Sequence, residues 1–204
     1  MPKTGMEPIR RAALVEATID EIGQAGTLDV TVAQIARRAG MSSALAHHYF
    51  GGKEQIFLAA MRHVLALYGA CVRGALAMAD GPHARLEAIV RASFAGENFR
   101  AEVISAWLNF YALAQRNADA RRLLTVYQAR LRANLRHALR PLAGDDAERL
   151  AETAAALVDG VYLREGLGHG APDAQAAAGL VLDCLSPHLE AAARGARREK
   201  EVTR

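Results

Sequence analysis

The sequence predicts an all-α fold, and three observations support this prediction. Segments with helical periodicity alternate with glycine and proline breakers along all 204 residues. The alternation of polar and apolar residues that marks a β-strand does not occur over any useful length. Residues suited to helix ends stand at the segment boundaries, as Pro8 and Gly26 do around the first segment. A chain of this length can hold one or two helical domains with a sizeable core.

These boundaries place the helices along the chain. They are predicted at about 8–24, 32–39, 43–50, 53–79, 83–98, 102–117, 119–140, 146–167 and 173–186. Pro187 is expected to end or kink the last helix. The helix over about 53–79 is long enough to connect two domains, so we expect a domain boundary within it.

The segment from Thr31 to Lys53 has the pattern of two short helices around a tight turn. Thr31 and Gln34 have the spacing of a capping box, in which each side chain bonds an amide of the first helical turn. Gly40 can adopt the positive φ that ends a helix, and Ser42 can cap the next one. The predicted turn is therefore only a few residues long, as in a helix-turn-helix.

The second helix of this pair is poor in residues that need burial. Those that can be buried are Leu45, Ala46 and Phe50. Those with no evident reason for burial are Ser43, Ala44, His47 and His48. Small and polar side chains suit a helix that lies in the major groove of DNA, where its N-terminal residues reach the base edges. Tyr49 and Lys53 follow where such a helix leaves the groove and can contact phosphates.

The charge distribution favours the same segment as a surface for nucleic acid. The net charge of +3 and the pI of about 9.1 are only mildly basic, so the position of the charge matters more than its total. Residues 31–53 contain three cations and no acid, whereas residues 1–30 contain three cations and five acids. DNA binding therefore accounts for this pattern better than a chance helical hairpin does.

This segment resembles the signature of the TetR-type transcriptional regulators, T…IA..AG.S…YF..K. The matching residues are Thr31, Ile35-Ala36, Ala39-Gly40, Ser42, Tyr49-Phe50 and Lys53. The resemblance implies an N-terminal three-helix helix-turn-helix domain joined by a long helix to a helical domain for ligand binding and dimerisation. We therefore expect a DNA-binding domain at 1–55 and a ligand-binding and dimerisation domain at 56–193. The residues at 194–204 are basic with mixed charges and no apolar periodicity, which favours a frayed, solvated tail, and auxiliary contact with DNA is the alternative.

The resemblance also implies roles for individual residues. Base contacts are expected from Ser43, Ala44, Leu45 and His47. Phosphate contacts are expected from Thr31, His48, Tyr49 and Lys53. Arg38 and Ser42 complete the predicted DNA-binding set. Leu45 fits the periodicity of a buried residue equally well, and Ala44 stands where the family often has glycine.

A narrower resemblance is to the choline-responsive BetI-type repressors. It rests on the opening MPKTGMEPIRR and on two later segments, AWLNFYA at 106–112 and ALVDGVYLR at 156–164. The implied function is a ligand-responsive repressor of the genes that convert choline to glycine betaine, released from DNA by choline or a related quaternary ammonium. The alternative is a TetR-type repressor that responds to a drug-like or lipid-derived ligand.

The candidate ligand site combines aromatic residues with one carboxylate, in a chain that is only 5% aromatic. Its predicted members are Trp107, Phe110, Tyr111, Tyr127, Asp159 and Tyr162. The first three share one helical face at spacing i, i+3, i+4. A quaternary ammonium has no N–H to donate, so aromatic faces and a balancing carboxylate suit it. Ordinary core packing also explains such aromatic residues, and a salt bridge to Arg164 also explains Asp159.

Two segments near the end of the chain predict a homodimer. The segments at about 146–167 and 173–186 are rich in alanine and leucine on nearly all faces, so they need cover on more than one side. Two copies packed as a four-helix bundle would supply it, and a twofold dimer would present two recognition helices to a pseudo-palindromic operator. Gly160 and Gly166 either permit close approach of helices there or are tolerated at exposed positions.

Other classes of protein fit the sequence less well. The seven histidines have no metal-binding spacing, and no phosphate-binding loop or activated nucleophile accompanies them, so we expect no enzyme activity, metal or cofactor. Cys71 and Cys184 are far apart, as expected in a reducing compartment. We find no signal peptide and no run of about 18 apolar residues, so a cytoplasmic protein without membrane contact is expected.

Overall fold

The computed structural model describes residues 5–168 and 170–202, and it is built from α-helices. The helices are α1 (Met6–Ala25), α2 (Val32–Arg38), α3 (Ser43–Phe50), α4 (Lys53–Met78), α5 (Gly81–Ser93), α6 (Ala101–Ala114), α7 (Ala118–Ala143), α8 (Ala147–Leu167) and α9 (Ala174–Val202). Two 3₁₀ turns lie at Gly96–Phe99 and Gly144–Asp146. The described residues form no β-strand, so the all-α prediction is confirmed.

Most helix ends agree with the prediction to within a few residues, but two differ. The helix predicted over about 83–98 ends at Ser93, because Gly96, with a φ of 54°, breaks the helical path. The predicted helix end at Pro187 is wrong, since α9 continues through this residue to Val202, and the alternative of a kink there stays a prediction. A proline removes one amide donor, and the helical turns on both sides of it persist here. The tail that the sequence predicts to be frayed is therefore helical as far as Val202.

Parts of two predicted segments lie outside the described residues. The first four residues of the opening string, on which the BetI-type resemblance partly depends, lie outside the described residues. The last two residues of the basic tail and one of the seven histidines, His169, also lie outside them.

The helices group into two compact units. The first unit contains the chain up to Leu67 and the segment Arg100–Leu124, so it holds α1, α2, α3, the start of α4, α6 and the start of α7. α1 packs against α2 and α6, and α2 packs against α3. Fully buried side chains in this unit include Leu14, Ile35 and Ile56. The predicted helix-turn-helix therefore shares its core with α6, which follows it by some fifty residues in the sequence.

The second unit contains Tyr68–Phe99 and the chain from Thr125 onward. In it α9 packs against both α5 and α8. Its fully buried side chains include Ile89, Leu135 and Val158. The functional division into 1–55, 56–193 and 194–204 stays a prediction.

Among the described helices, α4 is the one with the length and apolar composition needed to cross a membrane. Ile56, Phe57 and Leu58 in its first turns are buried in the first unit. A core helix of a globular protein can have the same composition, so this finding gives little support to a membrane span.

Candidate nucleic-acid interface and ligand site

α2 begins with the predicted capping box. The Thr31 hydroxyl accepts a hydrogen bond from the Gln34 amide at 3.2 Å, and the Thr31 amide donates to Gln34 Oε1 at 2.7 Å. Two amide groups at the start of the helix are therefore satisfied by side chains, which fixes where α2 begins.

The turn between α2 and α3 is short and closed by hydrogen bonds. Gly40 has a φ of 67°, and the Met41 amide donates to the Ala36 carbonyl at 2.8 Å. The Ser42 hydroxyl then accepts a hydrogen bond from the Leu45 amide at 3.2 Å. These contacts confirm the helix-turn-helix that the sequence predicts, and they hold α3 in a defined orientation to α2.

α3 has an exposed side and a side turned to the core. Ala44, His47 and His48 are exposed at spacing i, i+3, i+4, whereas Leu45 is half-buried. Nδ1–H of His47 donates to the Gly51 carbonyl at 3.2 Å, so Nε2 of the neutral ring can act as an acceptor. The exposed side of α3 thus presents one methyl group and two imidazoles, without a carboxylate of its own.

The two predicted cations are engaged to different degrees. Lys53 Nζ lies 4.0 Å from Asp29 Oδ1, and the Asp29 side chain is 96% exposed, so this ion pair is weak. Arg38 instead donates to Glu21 at 2.6 Å and to Gln24 at 2.5 Å, which joins α2 to α1. A phosphate contact by Arg38 would compete with these two bonds. DNA contacts by both residues stay predictions.

Arg11, which the sequence analysis does not single out, supports the end of α3. Its guanidinium lies 5.0 Å from the ring centroid of Phe50 and 5.5 Å from that of Tyr49. Its Nε also donates to Glu7 at 2.9 Å. Stacking of this kind stabilises an aromatic side chain. No local spacing signals the contact, because α1 and α3 are separated in the sequence by α2.

Several acidic residues near the start of the chain hold the first unit together. Arg100 donates to Asp20 Oδ1 at 3.0 Å and to Glu16 Oε2 at 3.4 Å, so the residue before α6 is attached to α1. The Asn109 side-chain amide donates to the Gly26 carbonyl at 3.4 Å. The excess of acids in residues 1–30 is thus partly explained by contacts within the unit.

Three of the predicted ligand-site residues lie together on α6, in the first unit. The Trp107 ring centroid is 5.8 Å from that of Phe110 and 5.7 Å from that of Tyr111. Trp107 and Phe110 are buried, and Tyr111 is half-buried. The shared face that the spacing predicts is therefore confirmed, although core packing explains it as well as ligand binding does.

The other predicted aromatic residues lie in the second unit, where three further rings join them. Tyr127 packs edge-on against Tyr68 at a centroid distance of 5.5 Å. Tyr162 packs against Phe94 at 5.8 Å and against Phe99 at 5.2 Å. Sequence reasoning missed Tyr68, Phe94 and Phe99 because they come from different elements, so no single helical spacing connects them.

Asp159 acts electrostatically on two of these tyrosines. Burial raises the pKa of Tyr162, and the charges of Tyr68 and Asp159 raise it further. Burial also raises the pKa of Tyr68. A hydrogen bond with Ser93 lowers this pKa, and the charge of Asp159 raises it, but burial has the largest effect. Asp159 therefore raises the pKa of both buried phenols.

Asp159 and Arg164 differ in their exposure on α8. The Arg164 side chain is exposed, whereas Asp159 is half-buried. A separation of five residues turns the two side chains towards different sides of the helix. The structural salt bridge between them stays an alternative prediction for Asp159.

Comparison with known proteins identifies the family. Residues 14–60 match the bacterial regulatory proteins of the TetR family, and residues 82–190 match the C-terminal part of the BetI-type transcriptional repressors. The chain is 50% identical over 190 residues to the HTH-type transcriptional regulator BetI of Brucella suis biovar 1 (strain 1330), which covers 93% of this chain and 96% of that protein. The chain belongs to the BetI-type repressors of the TetR family. This TetR-family chain is a DNA-binding transcriptional regulator, as its sequence predicts.

Two solved structures of transcriptional regulators have the same fold. A transcriptional regulator from Pseudomonas aeruginosa PAO1 superposes with a TM-score of 0.74 at 29% identity, covering 92% of this chain and 93% of that one. A regulator from Saccharomonospora viridis, solved in complex with choline, has a TM-score of 0.74 at 21% identity and covers 86% of this chain and 95% of that one. At that identity the second comparison supports the fold of this TetR-family regulator and not its ligand.

Proposed function

We propose that this chain represses the genes that convert choline to glycine betaine, and that choline or a related quaternary ammonium releases it from DNA. One observation carries the ligand part of the proposal. Tyr162 lies three residues after Asp159 on α8, and in the second unit its ring packs against those of Phe94 and Phe99. The match of residues 82–190 to the BetI-type repressors supports the same choice.

The chemistry of this cluster suits a quaternary ammonium. Such a cation has no N–H to donate, so hydrogen-bond acceptors alone bind it weakly. Aromatic faces attract it, by roughly 0.5–2 kcal/mol each. A carboxylate beside the rings supplies the balancing charge. Tyr68, Tyr127 and Tyr162 offer rings with polar edges, and Asp159 offers the charge. That Trp107, Phe110 and Tyr111 also belong to the ligand site stays a prediction from the sequence.

Operator binding is proposed to use the exposed side of α3. Nε2 of His47 can accept a hydrogen bond from an exocyclic amino group of adenine or cytosine, and the Ala44 methyl can contact a thymine methyl. Ser43 and Leu45 lie at the half-buried edge of this side. Phosphate contacts are proposed for Thr31, Ser42, His48, Tyr49, Lys53 and Arg38.

A homodimer is part of the proposal, because α8 has an exposed apolar stripe. Its members are Ala156, Gly160, Leu163 and Leu167, at spacing i, i+4, i+7, i+11. Leu163 is 49% and Leu167 69% exposed, and Leu180 of α9 is 45% exposed. A Cβ on Gly160 would meet no other atom, which leaves room for a second copy to approach closely. We propose that two copies pack here as a four-helix bundle in the cytoplasm.

The ligand is tested by calorimetric titration of the purified protein with choline, betaine aldehyde and a panel of hydrophobic drugs. We expect saturable binding of choline that Asp159→Asn weakens at least about tenfold, since the variant removes the balancing charge and keeps the shape. Asp145→Asn, at an exposed position in a 3₁₀ turn, is the matched control and should bind as the wild type does. Tight binding of a drug without binding of choline would favour the alternative ligand class.

The single tryptophan gives a separate test of its own membership in the site. If Trp107 lines the site, then a cation at its indole face changes its fluorescence as choline is added. Unchanged fluorescence at a choline concentration that saturates the calorimetric signal would remove Trp107 from the ligand-binding set.

A further inference from the structure

The chain passes between the two units three times. Two of the passages lie inside uninterrupted helices, between Leu67 and Tyr68 in α4 and between Leu124 and Thr125 in α7. The third lies between Phe99 and Arg100, where the 3₁₀ turn ends and α6 has not yet begun. A helix resists a local change of backbone angles, because each change breaks an i to i−4 hydrogen bond. The Phe99–Arg100 passage is therefore the one at which a local rearrangement costs least.

On the side of the second unit, this passage is held by Tyr162. Its hydroxyl donates to the Ser93 carbonyl at 2.7 Å and lies 3.3 Å from the Asn98 carbonyl, which it can share. Phe94 and Phe99 pack on the Tyr162 ring. One side chain thus fixes both ends of the connection that leads from α5 to α6, and this side chain belongs to the proposed cation site.

On the side of the first unit, the next residue along the chain is attached to α1. The Arg100 guanidinium contacts Asp20 at 3.0 Å, Glu16 at 3.4 Å and Glu102 at 3.8 Å. Glu16 is itself held by His63 Nε2 at 2.9 Å, so the cluster joins α1, α4 and the start of α6. α1 packs on α2 and so helps to orient the helix-turn-helix.

We propose that Arg100 is a positioning residue that transmits ligand binding from the Tyr162 cluster to α1, and through α1 to the helix-turn-helix. The inference depends on the proposed function, since it assumes that a cation binds beside Asp159. Such a cation alters the field at the Tyr162 hydroxyl, and the carbonyl groups of Ser93 and Asn98 respond to it. Because Arg100 follows Phe99 directly, a shift of this segment changes the distances from the guanidinium to Asp20 and Glu16. In thermodynamic terms, the Arg100 contacts differ in strength between the ligand-bound and ligand-free states.

The test separates coupling from binding by measuring three dissociation constants. These are the constant for choline, the constant for operator DNA without choline, and the constant for operator DNA with saturating choline. For Arg100→Met we expect the first two to stay within about threefold of the wild type, and the ratio of the two DNA constants to fall towards one. Arg100→Lys, which keeps the charge but not the fork of donors, should retain part of the ratio. A merely structural role would change the first two constants and the melting temperature, and would leave the ratio unchanged.

Two controls keep the outcome clear. Arg91→Met removes a guanidinium from an exposed pair with Glu87 in α5, and it should keep the full wild-type ratio. The double variant Glu16→Gln, Asp20→Asn removes the same contacts from the α1 side. Its ratio of the two DNA constants should also fall towards one, which keeps the test available if Arg100→Met fails to fold. An Arg100 variant with a wild-type ratio overturns this inference alone. If choline leaves the dissociation constant of the wild-type protein for operator DNA unchanged, then the proposed function is overturned, and this inference with it.

Discussion

Glu102 at the start of α6 lies directly against Gly23 of α1. A Cβ built on Gly23 would come within 2.5 Å of the Cα of Glu102, a separation that real Cβ atoms do not adopt. The obstructing atoms include backbone, which cannot swing aside as the end of a flexible side chain can. The helix that starts the DNA-binding region and the helix that carries Trp107 therefore cross at a position that only glycine allows.

Gly23→Ala is expected to destabilise the protein although alanine is the better helix former. Overpacking at the crossing should lower the free energy of unfolding by about 1–3 kcal/mol, as measured by chemical denaturation. Gly74→Ala is the matched control, because Gly74 is an exposed helical residue whose added Cβ would meet no atom. That control should gain up to about 1 kcal/mol. Equal stability of the two variants would contradict the close approach of α1 and α6.

His47 and Lys53 are expected to affect DNA binding in different ways. His47→Ala should reduce the preference for operator over mutated operator by about 1–3 kcal/mol, because it removes the proposed base contact. Lys53→Ala should weaken binding to all sequences alike and lower the slope of log affinity against log salt by about one. Fluorescence anisotropy at several salt concentrations measures both quantities. An unchanged salt slope would remove Lys53 from the phosphate contacts, and unchanged preference would remove His47 from the base contacts.

A charge on the α8 stripe is expected to prevent dimerisation. Leu163→Glu places a carboxylate on the proposed bundle surface, where two copies would bury it without a partner. Analytical ultracentrifugation should then give a monomer, and operator affinity should fall because one recognition helix remains per particle. Val126→Glu, at a residue of α7 that is 43% exposed, adds the same charge elsewhere and should leave the dimer intact. A dimeric Leu163→Glu protein would place the interface on another surface.

The stability of the protein is expected to fall at alkaline pH because of Tyr162. Burial raises the pKa of this phenol in the folded state, while in the unfolded chain it returns to about 10. Above about pH 10 the unfolded chain therefore loses a proton that the folded protein keeps, so the free energy of unfolding decreases by about 1.4 kcal/mol per pH unit. Tyr162→Phe lacks this proton. The variant should therefore have a lower free energy of unfolding than the wild type, and the difference between them should shrink as the pH rises. Denaturation experiments between about pH 9 and pH 11 measure this difference. A constant deficit would mean that the phenol ionises alike in both states.

The helix-turn-helix could be predicted from the sequence because its determinants are local. The capping box of Thr31 and Gln34, the positive φ of Gly40 and the cap at Ser42 each depend on residues only a few positions apart. The all-α fold and most helix ends follow for the same reason. The family signature adds the order of the domains and the expected partners, which local rules alone do not give.

Contacts between distant segments could not be predicted in this way. The rings around Tyr162 come from α5 and the 3₁₀ turn, and the guanidinium that holds α1 belongs to Arg100. The apolar periodicity continues across Gly96, so it gives no sign that the helix ends before this residue. Pro187 lies inside α9, although a proline in the sequence predicts a helix end. The ring cluster and the Arg100 contacts depend on packing that brings together residues tens of positions apart.

Choline is expected to release this repressor from DNA, and one binding measurement decides whether it does. The DNA upstream of the chain's own gene is titrated with protein at fixed salt, with and without saturating choline. We expect specific binding whose dissociation constant rises about 5- to 150-fold when choline is present, the usual range of allosteric coupling. Specific binding with the same dissociation constant in both conditions would contradict it.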